Sequence, residues 1–155
     1  LTYLSVMKKN NDLNIYFPKG CIEIESIYKA FNNVYKKELT YKINLKEITN
    51  EKSFKRKNIL IKPFEVDHRE LSSDQKTYIK IPSLGFKFIY NKKSICYGGD
   101  TAYCNSLVKN CKNSDLAIIE AGAKSNDQLE IHMSVEQATE IGKTAKEFFL
   151  VHIPE

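Results

Sequence analysis

The stretch at residues 94–122, SICYGGDTAYCNSLVKNCKNSDLAIIEAG, constrains the fold of this chain more than any other. Residues 94–97 are a short apolar run, Gly98-Gly99-Asp100-Thr101 breaks it sharply, residues 102–111 can form a helix, and residues 115–119 are a second apolar run of strand length. The order is strand, turn, helix, strand. A carboxylate just past a buried strand, on a backbone loosened by two glycines, is held from behind and open in front. Asp100 therefore suits a metal ligand or a catalytic acid, while Asp and Thr at this point would equally well cap the following helix.

The chain contains three histidines, and each follows or leads an apolar segment: Val66-Asp67-His68, Ile131-His132-Met133 and Leu150-Val151-His152. Taken singly, each reads as a packed or surface histidine. Histidines at the mouths of strands, with an aspartate on a glycine-rich turn between them, form the donor set that a metal site in a layered α/β protein needs.

Together these pieces carry a family resemblance. Tyr97-Gly98-Gly99-Asp100-Thr101, then Asp115-Leu116-Ala117-Ile118-Ile119-Glu120-Ala121, then His132-Met133-Ser134 with Gln137-Ala138, then Leu150-Val151-His152 resembles the second half of the metallo-β-lactamase superfamily, in its ribonuclease Z-like branch. Upstream, Val66-Asp67-His68 with Gly85-Phe86-Lys87-Phe88, and earlier LNIYFPKG at residues 13–20, are similar to further elements of that branch in the same order. The resemblance implies an α/β fold, the superfamily's αββα sandwich, here incomplete at both ends, with residues 1–155 as a single partial domain.

Residue by residue, it implies that His68, Asp100 and His152 are metal ligands, with Asp100 as the carboxylate that bridges two ions. It also implies that His132 sits beside the scissile group and that Glu120 orients it. Two ions about 3.5–4 Å apart polarise a phosphoryl or acyl oxygen, and a bridging carboxylate holds that spacing. A histidine beside a glutamate is fixed in one tautomer and can donate a proton to a leaving group. The implied cofactor is a pair of divalent metals in the complete protein, zinc first, with manganese or iron as alternatives. The implied substrate is a phosphodiester or another small hydrolysable molecule, with nucleic acid among the candidates.

The family's main metal signature, His-x-His-x-Asp-His, is absent from residues 1–155. The chain thus reads as an internal piece of a longer hydrolase, with three protein ligands and too few for a dinuclear centre, and inactive alone. The competing reading is a non-catalytic relic or interaction module that lost the first metal motif. Against it stands the joint presence of His68, Asp100, Glu120, His132 and His152. A thioester or lactam hydrolase would share the metal core. In the family, phosphodiesterase-like members use a histidine after the Glu-Ala segment, and His132 stands there.

The rest of the chain sets limits. A 42% hydrophobic content over 155 residues supports a globular chain. Four cysteines, Cys21, Cys96, Cys104 and Cys111, show neither a Cys-x-x-Cys pair nor a secreted framework and read as reduced packing residues. No apolar run approaches the roughly 18–20 residues of a membrane span, and no signal peptide is visible, so the cytoplasm is the default location. The net charge of +5 includes a basic run at residues 52–57, which reads as a solvated loop or as a phosphate contact.

In chain order, the pattern predicts the tail of a helix over residues 1–9, a strand at 13–17 and a helix over 22–37. The helix carries an apolar stripe at Ile24, Ile27, Tyr28, Phe31, Val34 and Tyr35. A half-exposed strand over 40–48, a turn over 49–57 and a strand over 58–66 follow. Residues 70–83 read as a loop with one small strand. Asp67 reads either as a partner that orients His68 or as a loop residue. Residues 91–93 form a tight hairpin turn, which leaves no room there for the transfer-RNA-gripping arm of ribonuclease Z enzymes. Ser134 and Gln137 match a capping box, and Val135, Ala138, Ile141 and Ala145 form the buried face of the helix they open. A strand over 148–151 then delivers His152. A sheet edge left exposed by missing parts predicts self-association, with a homodimer as the simplest form.

Overall fold

The computed structural model describes residues 1, 4, 7, 10–50, 52–74, 76–124 and 128–154. The helix expected over residues 1–9 lies for the most part outside the described residues. The chain forms two compact units, Leu1–Ile48 and Thr49–Glu155.

The first unit is a βαβ element. Strand β1 (Leu13–Pro18) leads through Gly20, whose φ of 84° closes the turn, into helix α1 (Ile22–Tyr35) and a 3₁₀ turn (Lys36–Glu38). Strand β2 (Ile43–Ile48) then pairs with β1 in parallel, Leu13 opposite Ile43. The crossover helix makes that parallel pairing feasible. The apolar stripe of α1 is narrower than its sequence suggests. Ile24, Tyr28 and Phe31, at i, i+4 and i+7, are half-buried, whereas Ile27 and Val34 are 65% and 68% exposed. A row with that spacing is one line of side chains along the helix, and Ile27 and Val34 fall to either side of it. Tyr41 and Ile43 are buried, and the Tyr41 hydroxyl donates to the Leu1 carbonyl at 2.7 Å.

The second unit is built on a six-stranded mixed sheet in the order β10-β9-β8-β7-β4-β3. Its strands are β3 (Phe54–Arg56), β4 (Ile59–Glu65), β7 (Leu84–Tyr90), β8 (Lys93–Tyr97), β9 (Leu116–Glu120) and β10 (Glu147–Val151). The turn expected over residues 49–57 contains β3, because Phe54 and Arg56 pair with Ile61 and Ile59 across a hairpin tip at Lys57, where φ is 50°. The loop at residues 70–83 carries two strands where one was expected, β5 (Arg69–Leu71) and β6 (Tyr78–Lys80), paired as a small hairpin. Between β7 and β8 only Asn91 and Lys92 turn the chain, with φ of 47° and 63°, the paired positive values of a two-residue hairpin.

Strands β8, β9 and β10 run parallel, joined by helices α2 (Asn105–Cys111) and α3 (Val135–Gly142). Both helices pack on one face of the sheet. Leu107 and Cys111 from α2 and Ala138 and Ile141 from α3 meet Cys96, Ala117 and Ile119 in one core. The Cys96 and Cys111 sulfurs lie 3.4 Å apart, and the neighbouring thiol and burial push the Cys96 thiol up, as suits reduced packing residues. The capping box at Ser134 and Gln137 forms as expected, but Val135 is 40% exposed because it sits in the first turn, at the rim of the core that Ala138 and Ile141 enter.

Asp115 ties the entrances of the three parallel strands together. Its carboxylate accepts from Lys146 Nζ at 2.9 Å, from the Ser94 N–H at 2.8 Å and from Lys93 Nζ at 3.2 Å, and these donors hold its pKa well below the usual carboxylate range. A carboxylate with a depressed folded value stabilises the fold above its ordinary unfolded value of about 3.9, and that contribution fades as pH falls toward the folded value. Asp115→Asn should therefore melt below the wild type from pH 7 down to about 5, with the two curves converging as pH drops through about 4 to 2. Thermal melts across that range check it, and a gap that widens on acidification would contradict it.

Candidate metal centre

The direction of the strands sets the location of the site. Strands β8, β9 and β10 are parallel, and β4 runs the same way because two antiparallel pairings separate it from β8. Their carboxyl ends therefore share one edge of the sheet, where α/β sheets place their ligands. His68 follows β4, Asp100 follows β8, Glu120 ends β9 and His152 follows β10. His132 comes from the segment that leads into α3.

Glu120 is the organising group. It is 1% exposed, and its two oxygens accept from four N–H groups. Oε1 takes the Met133 N–H at 3.1 Å, the Thr101 N–H at 3.3 Å and His132 Nδ1 at 3.3 Å, while Oε2 takes the Gly122 N–H at 2.6 Å. A carboxylate has no donor of its own, so the His132 proton facing it sits on Nδ1, and Nε2 is the nitrogen left for a ligand or a transferable proton. One donor atom each from Glu120, His132 and His152 lies within 4.8 Å of the others. The two imidazole rings meet edge to face, with centroids 4.9 Å apart and planes at 89°.

Asp100 stands at the open side of this group, its carboxylate 53% exposed and 3.5 Å from His152 Nδ1. It does not cap α2, whose N-cap position is Cys104 and which has no side-chain cap. His152 holds a φ of 56°, in the left-handed region that few non-glycine residues adopt. The strand ends, and the ring turns back toward Asp100 and His132.

His68 is at the same edge but outside the group of three. Its Nδ1 is buried with no hydrogen-bond partner among the described residues. The loop that carries it is stitched to the Asp100 turn. The Asp67 N–H donates to Thr101 Oγ1 at 3.0 Å, and the Ala102 N–H donates to the Asp67 carbonyl at 2.8 Å. Of the two readings of Asp67, the loop role holds, since its carboxylate is engaged by Arg69 at 2.9 and 3.1 Å.

Sequence reasoning missed Thr101 and Gly122. Thr101 is fully buried and links the β4 and β8 loops to Glu120. A Cβ on Gly122 would lie 3.0 Å from His132 Nδ1 and 3.1 Å from Glu120 Oε2, so the ring's seat is cut to the size of a glycine. The only signal for either was position, one residue after Asp100 and two after Glu120.

The donor set suits a divalent ion: imidazole nitrogens and a carboxylate oxygen converge, and the buried His68 Nδ1 lacks a protein partner among the described residues. Glu120 does not fit as a ligand, since four N–H groups already occupy its oxygens.

Known structures share this fold. The short form of human tRNase Z matches 99% of this chain over 65% of its own, at 22% identity and a TM-score of 0.71. The metallo-β-lactamase fold protein YhfI from Bacillus subtilis matches 99% of this chain over 57% of its own, at 19% identity and a TM-score of 0.69. Zinc-bound PqqB from Methylobacterium extorquens matches 97% over 57% of its own, at 12% identity and a TM-score of 0.70. The chain thus spans less than two thirds of the length of each, and the likeness is one of fold. No curated protein matches the chain. The model of the beta-lactamase superfamily domain matches residues 1–153, and the chain belongs to that superfamily.

Proposed function

We propose that this chain supplies metal-holding and proton-transferring residues to a metal-dependent hydrolase acting on phosphodiesters, and that its two compact units belong to one domain. The observation that carries the reading is the convergence of His132 and His152 on the buried Glu120 carboxylate, with Asp100 3.5 Å from His152 Nδ1. Structures of similar fold include proteins named as tRNase Z, a diphosphatase of the PhnP family and yeast PDE1, and that of PqqB is zinc-bound.

In this reading Asp100 and His152 hold a divalent ion, with His68 as the third ligand. Such an ion, when bound, acts as a Lewis acid toward a phosphoryl oxygen. His132 works beside it. The bond from Nδ1–H to Glu120 fixes the ring plane and keeps Nε2 as the atom that holds a proton or delivers it to the leaving oxygen. Asp100 and His152 are both about half exposed, so a substrate can reach them from solvent.

Elemental analysis after loading with zinc and gel filtration tests the reading. The wild-type chain is expected to retain about one ion, and Asp100→Ala and His152→Ala to retain a small fraction of that, since each removes one of few ligands. Metal content at background in the wild type, or equal content in all three proteins, would sink the proposal.

A further inference from the structure

The second unit carries a basic surface that the residues at the strand ends do not use, and its meaning depends on the phosphodiesterase reading above. A cleft of about 570 Å³ opens on the helix side of the sheet, between β4, β6 and α2, and Lys62, Lys80 and Lys109 line it together with Asn50, Ser53 and Asn110. The lysines are arranged at a cost. Lys62 stands directly opposite Lys87 in the β4–β7 ladder, and like charges in that relation repel. Lys87 turns its ammonium to the Asn110 carbonyl at the end of α2, 2.8 Å away, which leaves Lys62 beside it on the cleft wall.

The carboxylates that line the cleft offset Lys80 but neither Lys62 nor Lys109. Glu65 is held by Lys80 at 2.6 Å, and Asp67 by Arg69 at 2.9 Å. Among the described residues no ion pair joins Lys62 or Lys109 to a carboxylate. The positive surface also continues beyond the cleft in both directions. At Ser53 it meets β3 and the hairpin tip with Lys55, which shares the face of Lys62, and Lys57, and at Asp67 it reaches the loop that carries His68 and is bonded to Thr101.

We propose that this stripe, from the β3–β4 hairpin through Lys62 and Lys109 to the His68 loop, binds the phosphate backbone of a single-stranded polynucleotide outside the reacting centre. A single phosphate is met by one compact group of donors. Cations spread over a hairpin, a strand ladder and a helix match a row of phosphates instead, and contacts of that kind position a strand without reading its bases. The direction of the stripe would deliver the strand to the edge where Asp100 and His152 stand.

The test is fluorescence anisotropy of a short labelled single-stranded RNA across a salt series. It compares the wild-type chain, a Lys62→Gln/Lys109→Gln variant and a Lys29→Gln/Lys36→Gln control with the same change in charge on the first unit. Circular dichroism melts establish that all three are folded. The Lys62/Lys109 variant is expected to bind about tenfold more weakly at low salt, with a log–log salt slope shallower by about 1.4, while the control moves less than about twofold. Absence of RNA binding by the wild type, equal weakening in both variants, or an unchanged slope overturns the proposal. So does a variant that keeps RNA binding and loses binding to a polyglutamate peptide or to phosphatidylserine vesicles.

Hydrolysis of bis(p-nitrophenyl) phosphate by the complete protein carrying the same substitutions separates the two proposals, because this substrate has no flanking phosphates. Lysine-dependent RNA binding without hydrolysis by any variant overturns the phosphodiesterase reading and leaves the surface standing. Hydrolysis with RNA binding indifferent to the lysines does the reverse.

Discussion

Glu120→Gln should cost about 2–3 kcal/mol, because its new amide NH₂ must face a backbone N–H in a site closed to water, and a buried unsatisfied donor costs about 1–3 kcal/mol. For a chain of this size that is a fall of roughly 5–10 °C in the thermal midpoint. Glu120→Ala strips partners from the N–H groups of Thr101, Gly122 and Met133 together, and should cost about 3–6 kcal/mol, a large part of the stability of a typical domain. The loss arises in the fold, since the carboxylate joins the segments that follow β8 and β9 to the one that opens α3. Calorimetry of the metal-free protein checks it. A Glu120→Gln midpoint within about 1 °C of the wild type would mean that the oxygens are not engaged as described.

In the complete protein, Gly122→Ala should leave the metal in place and remove most of the hydrolytic activity. The added methyl would meet His132 Nδ1 at 3.0 Å and Glu120 Oε2 at 3.1 Å, closer than comfortable packing allows. Glu120 is pinned by its backbone donors, whereas the His132 side chain is 19% exposed, so the imidazole is the group that gives way. A misplacement of about 1 Å can lower a rate by about 10²-fold, and for a shift of a few tenths of an ångström the scale is about tenfold. The expected result is hydrolysis of bis(p-nitrophenyl) phosphate down by about tenfold, with zinc content unchanged. Nitrogen-15 spectra of the histidines add a readout independent of turnover, because loss of the Nδ1–H bond to Glu120 shifts the tautomer balance of His132. Unchanged turnover together with an unchanged His132 signal would show that the ring is not seated against Gly122.

Much of the architecture was legible because it rests on local chemistry. The run from β8 to β9 shows in two apolar segments split by Gly98-Gly99, and the opening of α3 shows in Ser134 and Gln137. The misses share a cause. Strand β3 is three residues in a charged stretch and exists because Phe54 and Arg56 find Ile61 and Ile59. Val135 obeys the helical period, yet its turn lies at the rim of the core and not over it. On α1 the period was right and the width of the buried stripe was not, since that depends on what the helix lies against.

The candidate site divides in the same way. The sequence by itself determined which donors exist and where each stands on its strand: an aspartate after a glycine pair, a glutamate at a strand end, and histidines beside apolar segments. Those are properties of side chains and of the few residues around them. Tertiary structure alone decided that Glu120 gathers N–H groups from residues 19 positions before it and 13 after it, and that Gly122 is the floor under His132. It also left His68 at the shared edge but outside the group formed by Glu120, His132 and His152. The reason is physical. Hydrogen bonds between segments that distant form only after β8, β9 and β10 have aligned their carboxyl ends, and no local pattern encodes that alignment.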